Sequence, residues 1–142
     1  MKILNVNTDK RRLGDKGESA AARYLKKQGY IILERNYVAF DNEIDLIAYK
    51  EHTIAFVEVK TRTEGKTSPY ESRPAASVTP EKQRKIIRAA SHYKIHNPGE
   101  YRMRFDIIEV LVGFDEHEKE KIAIKHLENA FDANTAAKGR YR

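Results

Sequence analysis

The sequence predicts an α+β domain with element order αβββαββ. Three observations carry that expectation: two amphipathic helical stretches with cap signals, a run of alternating strands joined by tight polar links, and no linker or internal repeat dividing the chain into two cores. With 142 residues the chain can bury one core without covalent staples. Its 40% hydrophobic and 34% charged residues suit a folded domain with a heavily charged surface.

The first helix is expected from Leu13 to Gln28. Asp15 stands near its start, Ala21, Ala22 and Leu25 mark an apolar face, and Gly29 occupies the place of a C′ glycine. Glu18 precedes those apolar residues by three, four and seven positions, so helical geometry sets a carboxylate beside the buried stripe. Strands are expected over Tyr30–Tyr37, Glu43–Tyr49 and Thr53–Arg62, with short links around Asp41-Asn42 and Lys50-Glu51-His52 that imply an antiparallel meander.

A polar segment, 63–78, follows and is longer than most connections in compact domains. Its Tyr70 and Arg73 have the chemistry to stack on bases or grip a backbone, although a plain loop is the preferred reading. Thr79-Pro80-Glu81 then opens a second helix, with Thr as N-cap, Pro at the first helical position and an acid in the first turn. That helix is expected to reach Ile95 and to stop at Asn97-Pro98-Gly99. Strands over Met103–Val112 and Lys121–Leu127 complete the order. The division expected is an N-terminal extension over 1–12, a domain over 13–127 and a loose basic tail over 128–142.

Lys and Arg total 27 against 21 Asp and Glu, giving a net charge of +6, and such a balance favours a polyanionic partner. Nucleic acid is the partner expected, and no membrane. With no cysteine there is no disulfide, thiolate nucleophile or cysteine zinc site. The opening apolar run is too short for a signal-peptide core, so a cytoplasmic location is expected. Nothing matches a P-loop, a dinucleotide-binding glycine motif or a serine nucleophile elbow, which leaves nucleotide hydrolysis and acyl transfer without support.

The chemistry concentrates in two strands. Alternation puts Glu43, Asp45 and Ile47 on one face of 43–49, and Ile44, Leu46 and Ala48 on the other. In the next strand Ile54, Phe56, Glu58 and Lys60 share a face opposite Ala55, Val57 and Val59. A hairpin that aligns the two apolar faces must bring Asp45, Glu58 and Lys60 together, because a one-residue slip would bury acids against aliphatics. A tight turn around Lys50-Glu51 sets Asp45 opposite Phe56 and diagonal to Glu58, roughly 7–8 Å between Cα atoms.

Carboxylates at that spacing repel unless a cation or proton joins them, and hard oxygen ligands favour Mg²⁺ or Mn²⁺. Lys60 then stands where an ammonium can orient an attacking water and offset charge on a pentavalent phosphate. The competing reading is an ordinary cross-strand ion-pair cluster. Ile54 and Phe56 on the charged face weigh against it, since a partly covered charge needs a partner.

Asp45 followed by Glu58-Val59-Lys60 resembles the PD-(D/E)XK nuclease superfamily, with a metal-binding Asp on one strand and an acid-x-Lys motif on the next. More closely, Leu13-Gly14-Asp15-Lys16-Gly17-Glu18, Asn42-Glu43-Ile44-Asp45-Leu46-Ile47, Phe56-Val57-Glu58-Val59-Lys60-Thr61-Arg62 and Arg104-Phe105-Asp106 resemble the bacterial UPF0102 family, also called YraN. The resemblance covers roughly residues 13 to 112. It implies a three-layer, restriction-endonuclease-like fold, a mixed sheet flanked by helices, similar to archaeal Holliday-junction resolvases. It also implies that Glu18 joins Asp45 and Glu58 near the metal, and, by analogy with resolvases, a homodimer. Asn42 departs from the glycine common in the family at that position, and Asn tolerates the left-handed conformation a turn there would need.

On the second helix Lys82, Lys85, Arg88 and His92 form a basic stripe beside the apolar Ile86, Ala90 and Tyr93 face, suited to a phosphate backbone. Lys82 leads this set because it lies in the first turn. Arg62 continues the strand face of Glu58 and Lys60 and is read as a phosphate clamp, with a strand-end salt bridge as its alternative. His92 and His96 have helical metal-pair spacing but no completing ligand. Asp106 is expected to pair with a basic residue or a backbone amide. The function expected is a metal-dependent endonuclease acting on DNA in preference to RNA, with branched or damaged DNA as candidate substrates. The alternatives are a non-catalytic nucleic-acid-binding module of the same fold and an interaction protein.

Overall fold

The computed structural model describes residues 6–64 and 78–138. The chain folds as α1 (Val6–Lys27), β1 (Ile31–Ala39), β2 (Asn42–Lys50), β3 (Thr53–Thr63), α2 (Pro80–His96), β4 (Arg102–Phe114), β5 (Glu120–Phe131) and α3 (Ala133–Lys138). The five strands make one sheet in sequence order, antiparallel throughout except for β3 and β4, which pair in parallel across the α2 connection. The expected α+β order with a mixed sheet and flanking helices is therefore what forms.

The helices follow their signals. A Schellman cap ends α1, with the Tyr30 amide donating to the Leu25 carbonyl and the Gly29 amide to the Lys26 carbonyl, while Gly29 takes φ +95°. Gly17 has another purpose: a Cβ there would stand 1.8 Å from Thr61 Oγ1, so only glycine lets α1 press this closely on β3. In α2 the Thr79 side chain accepts from the Lys82 amide at 3.2 Å, and Pro80 sits in the first turn.

Two cores face away from each other across the sheet. Ala21, Ala22 and Leu25 of α1 pack on Leu46, Ala48, Ala55, Val57, Ile108 and Val110. On the opposite side Ile86, Ala89, Ala90 and Tyr93 of α2 cover Ile47, Ile54, Phe56, Phe105 and Ile107. Tyr70 and Arg73 lie outside the described residues. No helix of the described residues is long and apolar enough to cross a membrane.

The structure corrects four expectations. Residues from Val6 onward already belong to α1, where an extension was expected up to 12. β5 runs on to Phe131, and α3 buries Ala136 against the α2 side and returns its carbonyl to Arg84 Nη1 at 2.8 Å, in place of a loose tail. The β2–β3 turn is Glu51-His52, with φ +49° and +61°, so Lys50 pairs with Thr53 and Ile47 with Phe56. That moves the register two residues from the Lys50-Glu51 turn, so that continuing it one step past the Leu46–Val57 pair brings Asp45 to Glu58 instead of Phe56; a shift of two keeps the paired side chains on their faces. Finally, Ile44 joins the α2-side core while Leu46 and Ala48 join the α1-side core. The change falls where the β2–β3 ladder ends, at Leu46↔Val57.

Candidate functional site

Beyond Leu46 the Asp45 side chain does what the backbone ladder no longer does: its Oδ2 accepts the Val59 amide at 2.7 Å. Asp45 is thereby fixed beside the Glu58-Val59-Lys60 run. From α1, Glu18 reaches the same place, brought there by the close contact of Gly17 with β3. Glu18, Glu43 and Asp45 each offer an oxygen within 4.8 Å of the other two. The Asn36 amide, oriented with its nitrogen toward these acids, donates to Glu43 Oε1 at 2.7 Å and to Glu18 Oε2 at 3.0 Å. Glu58 is not one of the three but lies close behind; only 8% of it is exposed, and its Oε1 is 3.7 Å from Lys60 Nζ.

The electrostatics are those of a site with too much negative charge. Burial, then the charges of Asp45 and Glu43, push Glu18 up to about 7. Burial and Asp45 push Glu58 up to about 7, against the opposing pull of Lys60 and Lys82. Asp45 is also raised, chiefly by burial, although the Val59 amide works the other way. Glu18 and Asp45 bring carboxylate oxygens within 4.8 Å of each other, close enough for a proton or a cation to relieve their repulsion. A dense set of carboxylate oxygens, two of whose acids are pushed up to about 7, fits a hard divalent cation.

Two lysines border the acids. Lys60 Nζ approaches Glu58 from β3, and Lys82 reaches in from the first turn of α2, where its Nζ donates to Asn42 Oδ1 at 2.8 Å. Lys10, Leu13, Gly14 and Glu18 of α1 face Asp45 and residues 58–61 across an open cleft.

Residues 17–110 match the family described as Uncharacterised protein family UPF0102, a span that takes in Glu18, Asp45, Glu58, Lys60 and Asp106. The chain belongs to the UPF0102 family. A UPF0102 protein of Chlorobaculum parvum is 48% identical over 122 residues, covering 84% of this chain and 91% of its own. One from Desulfosudis oleivorans is 46% identical over 125 residues, 87% of this chain and 93% of its own. A third, from Caldanaerobacter subterraneus, is 44% identical over 132 residues, 92% of this chain and its whole length.

In this UPF0102 protein the structure gathers Glu18, Asp45, Glu58, Lys60 and Lys82 into one place. Lys85 is exposed and within 4.0 Å of Glu81, and Arg88 lies over the Phe40 ring, so both face outward along α2. Arg62 departs from the clamp reading: its Nε is 3.4 Å from Glu109 Oε1 and its side chain is largely covered. Its Nη2 has no hydrogen-bond partner among the described residues. The strand-end salt bridge forms because parallel pairing sets Lys60 beside Glu109, two residues before Arg62 on the same face. His92 binds the Tyr37 hydroxyl through Nδ1 at 2.8 Å, as a structural side chain would.

Sequence reasoning missed Glu43, Asn36 and Asn42. Alternation had already put Glu43 on the face of Asp45, and that was the available signal. Asn36 carries none, because its φ of +54° inside β1 is invisible in the sequence. Asn42 does not occupy a left-handed turn: Phe40 does, with φ +59°, and Asn42 lies in β2 as a buried acceptor for Lys82.

Proposed function

We propose that this chain is a hydrolase of nucleic-acid phosphodiesters, a metal-dependent endonuclease acting on DNA ahead of RNA. Mg²⁺ or Mn²⁺ would be held by Asp45, Glu58 and Glu18, with Glu43 as an added ligand. One observation carries the reading: four carboxylates from α1, β2 and β3 converge beside two lysines, and burial with the charge of Asp45 pushes Glu18 and Glu58 up to about 7. The likeness of Asp45 and Glu58-Val59-Lys60 to the PD-(D/E)XK nucleases supports the same chemistry.

Each residue then has a task. Asp45 spends one oxygen on the Val59 amide, which fixes its other oxygen toward the cleft. Lys60, held near Glu58, orients the attacking water and offsets charge on the phosphate as it becomes pentavalent. Lys82 is poised by Asn42 to contact a phosphate oxygen from the other side. The cation, when bound, supplies Lewis-acid polarisation of the phosphoryl oxygen. Lys85 and Arg88 extend the positive surface along α2, where a backbone could run. Branched or damaged DNA is the proposed substrate, and paired cuts in a branch would call for two copies related by a two-fold axis.

Purified protein incubated with Mn²⁺ and single-stranded, duplex, flap and four-way-junction DNA tests this. Cleavage of at least one substrate that falls by about two orders of magnitude or more in Lys60→Ala is the expected result. Cleavage undiminished in Lys60→Ala overturns the mechanism. Salt-dependent binding without any turnover overturns the hydrolase and leaves a binding module of the same fold.

A further inference from the structure

The tip of the β1–β2 hairpin carries a residue that the turn itself does not want. Ala39 pairs with Asn42, leaving Phe40 and Asp41 as a two-residue turn, and Phe40 adopts φ +59°. Turns of this kind favour glycine or asparagine in the left-handed position; an aromatic side chain there strains the backbone. Phe40 is also 58% exposed, so it does not repay that strain in the core. What it does meet is one cation and one further ring. The Arg88 guanidinium carbon lies 4.3 Å from the ring centroid, and the His92 ring stands edge-on at 5.4 Å.

Its position relative to the acids is equally specific. Asn42, two residues along, is hydrogen-bonded to Lys82, and Glu43 follows as one of the three clustered acids. Lys82 and Arg88 are six residues apart on α2, about 9 Å along its axis. An exposed aromatic ring backed by arginine, set at one end of a basic stripe that leads to the acids, has the makings of a base-stacking platform.

We propose that Phe40, supported by Arg88, stacks on an unpaired base of the nucleic acid whose phosphate enters the acidic site. The inference rests on the nucleic-acid reading above and deepens it: the substrate class is single-stranded or locally unpaired DNA. A base inside an intact duplex is already stacked on its neighbours and does not present a free face to the ring. A single-stranded segment or the branch of a junction does. The basic stripe supplies attraction that is blind to base pairing, and Phe40 supplies the preference.

The chain has no tryptophan, so Phe40→Trp places a unique fluorophore at the tip. Binding is measured in EDTA, so turnover plays no part, using a labelled mixed-sequence single-stranded DNA, a blunt duplex and heparin as a polyanion without bases. Phe40→Ala is expected to weaken single-strand binding about tenfold while changing duplex binding little. The Phe40→Trp emission is expected to be quenched by the single strand and not by heparin. Equal single-strand affinity of wild type and Phe40→Ala overturns the platform while leaving the nuclease reading intact. So does quenching by heparin as deep as that by DNA. A wild-type protein that binds no DNA in EDTA overturns the platform, and one that also leaves every DNA uncut in the Mn²⁺ assay overturns both, whereas binding without cleavage in the Mn²⁺ assay overturns the hydrolase alone.

Discussion

Two carboxylate sites, one a single buried acid and one a half-covered cluster, lie under the same helix and are treated in opposite ways. Glu18 of α1 overlies the Asp45 cluster, and Tyr24, six residues or about 9 Å further along, overlies Asp106. Asp106 is fully buried, yet it accepts two bonds from Arg104 at 2.8 Å, one from His126 Nε2 at 2.8 Å and one from the Asn129 amide at 3.0 Å. Burial alone would push its carboxyl up, but the bonds from His126, Arg104 and the Asn129 amide outweigh that and hold it below the usual carboxylate range. His126 is held in turn by the Tyr24 hydroxyl at 3.0 Å. At the other end, burial raises Glu18, Asp45 and Glu58, and neighbouring acids add to it: Asp45 and Glu43 for Glu18, Glu43 for Asp45, and Asp45 for Glu58. The difference separates an acid whose partners are all in the chain from acids that the described residues leave short of positive charge.

The largest effect that distinguishes them is on stability. Asp106→Asn leaves the Arg104 guanidinium with only the exposed Glu128, 3.8 Å away, as a charged neighbour, and removing the fully buried member of such a pair costs about 3 kcal/mol. Urea denaturation at neutral pH measures this. Because the folded pKa is depressed, the stabilisation is complete above the ordinary aspartate value near 4 and is lost as pH falls through the folded value. A variant as stable as wild type would dissolve the contrast between the two groups.

Glu58→Gln should move the other way. Its carboxyl is nearly buried and pushed up to about 7, so in metal-free protein above that pH its ionisation works against the fold. The glutamine variant is expected to be more stable by about 2 kcal/mol at pH 8 in EDTA, by the same denaturation measurement. The smallest effect belongs to Tyr24→Phe, which deletes one hydrogen bond to His126 Nδ1 and should cost about 1 kcal/mol with no change in metal response.

The sequence makes the elements of the fold legible where local rules agree with the tertiary outcome. Thr79-Pro80-Glu81 and Gly29 name helix ends because capping is decided within a few residues. The meeting of Asp45 with Glu58 is legible because two apolar strand faces must coincide, and an error of two residues in register does not disturb it. The turn itself is not legible: Glu51 and His52 take left-handed conformations without the glycine or asparagine that marks such turns. The hand-over at Asp45 is hidden for a related reason. A side chain replacing a backbone bond where the ladder stops leaves no trace in alternation, and next to it Ile44 packs on the α2 side.

Arg62 shows the limit for single charges. Its face was legible, but whether it would meet phosphate or Glu109 depends on the parallel β3–β4 pairing, set by residues far along the chain. The resemblance reached Glu18 where spacing alone only set it beside the core. Glu43 needed α1 to lie across the strand before its place among the acids became visible.

The most direct test of the central claim, that the Asp45 group awaits a divalent cation, is the melting temperature of wild type and Asp45→Asn across pH, with and without Mn²⁺. Glu18 and Glu58 have folded pKa values raised to about 7, so their contribution is fully present below the ordinary glutamate value near 4.5 and is lost as pH rises through about 7. Wild type in EDTA is therefore expected to melt at lower temperature as pH rises through that window. Mn²⁺ at pH 8 should recover the loss, by up to about 3 kcal/mol at a hundredfold excess over its dissociation constant. Asp45→Asn should respond far less. A melting temperature flat across the window and unmoved by Mn²⁺, or an equal Mn²⁺ response in Asp45→Asn, would contradict the account.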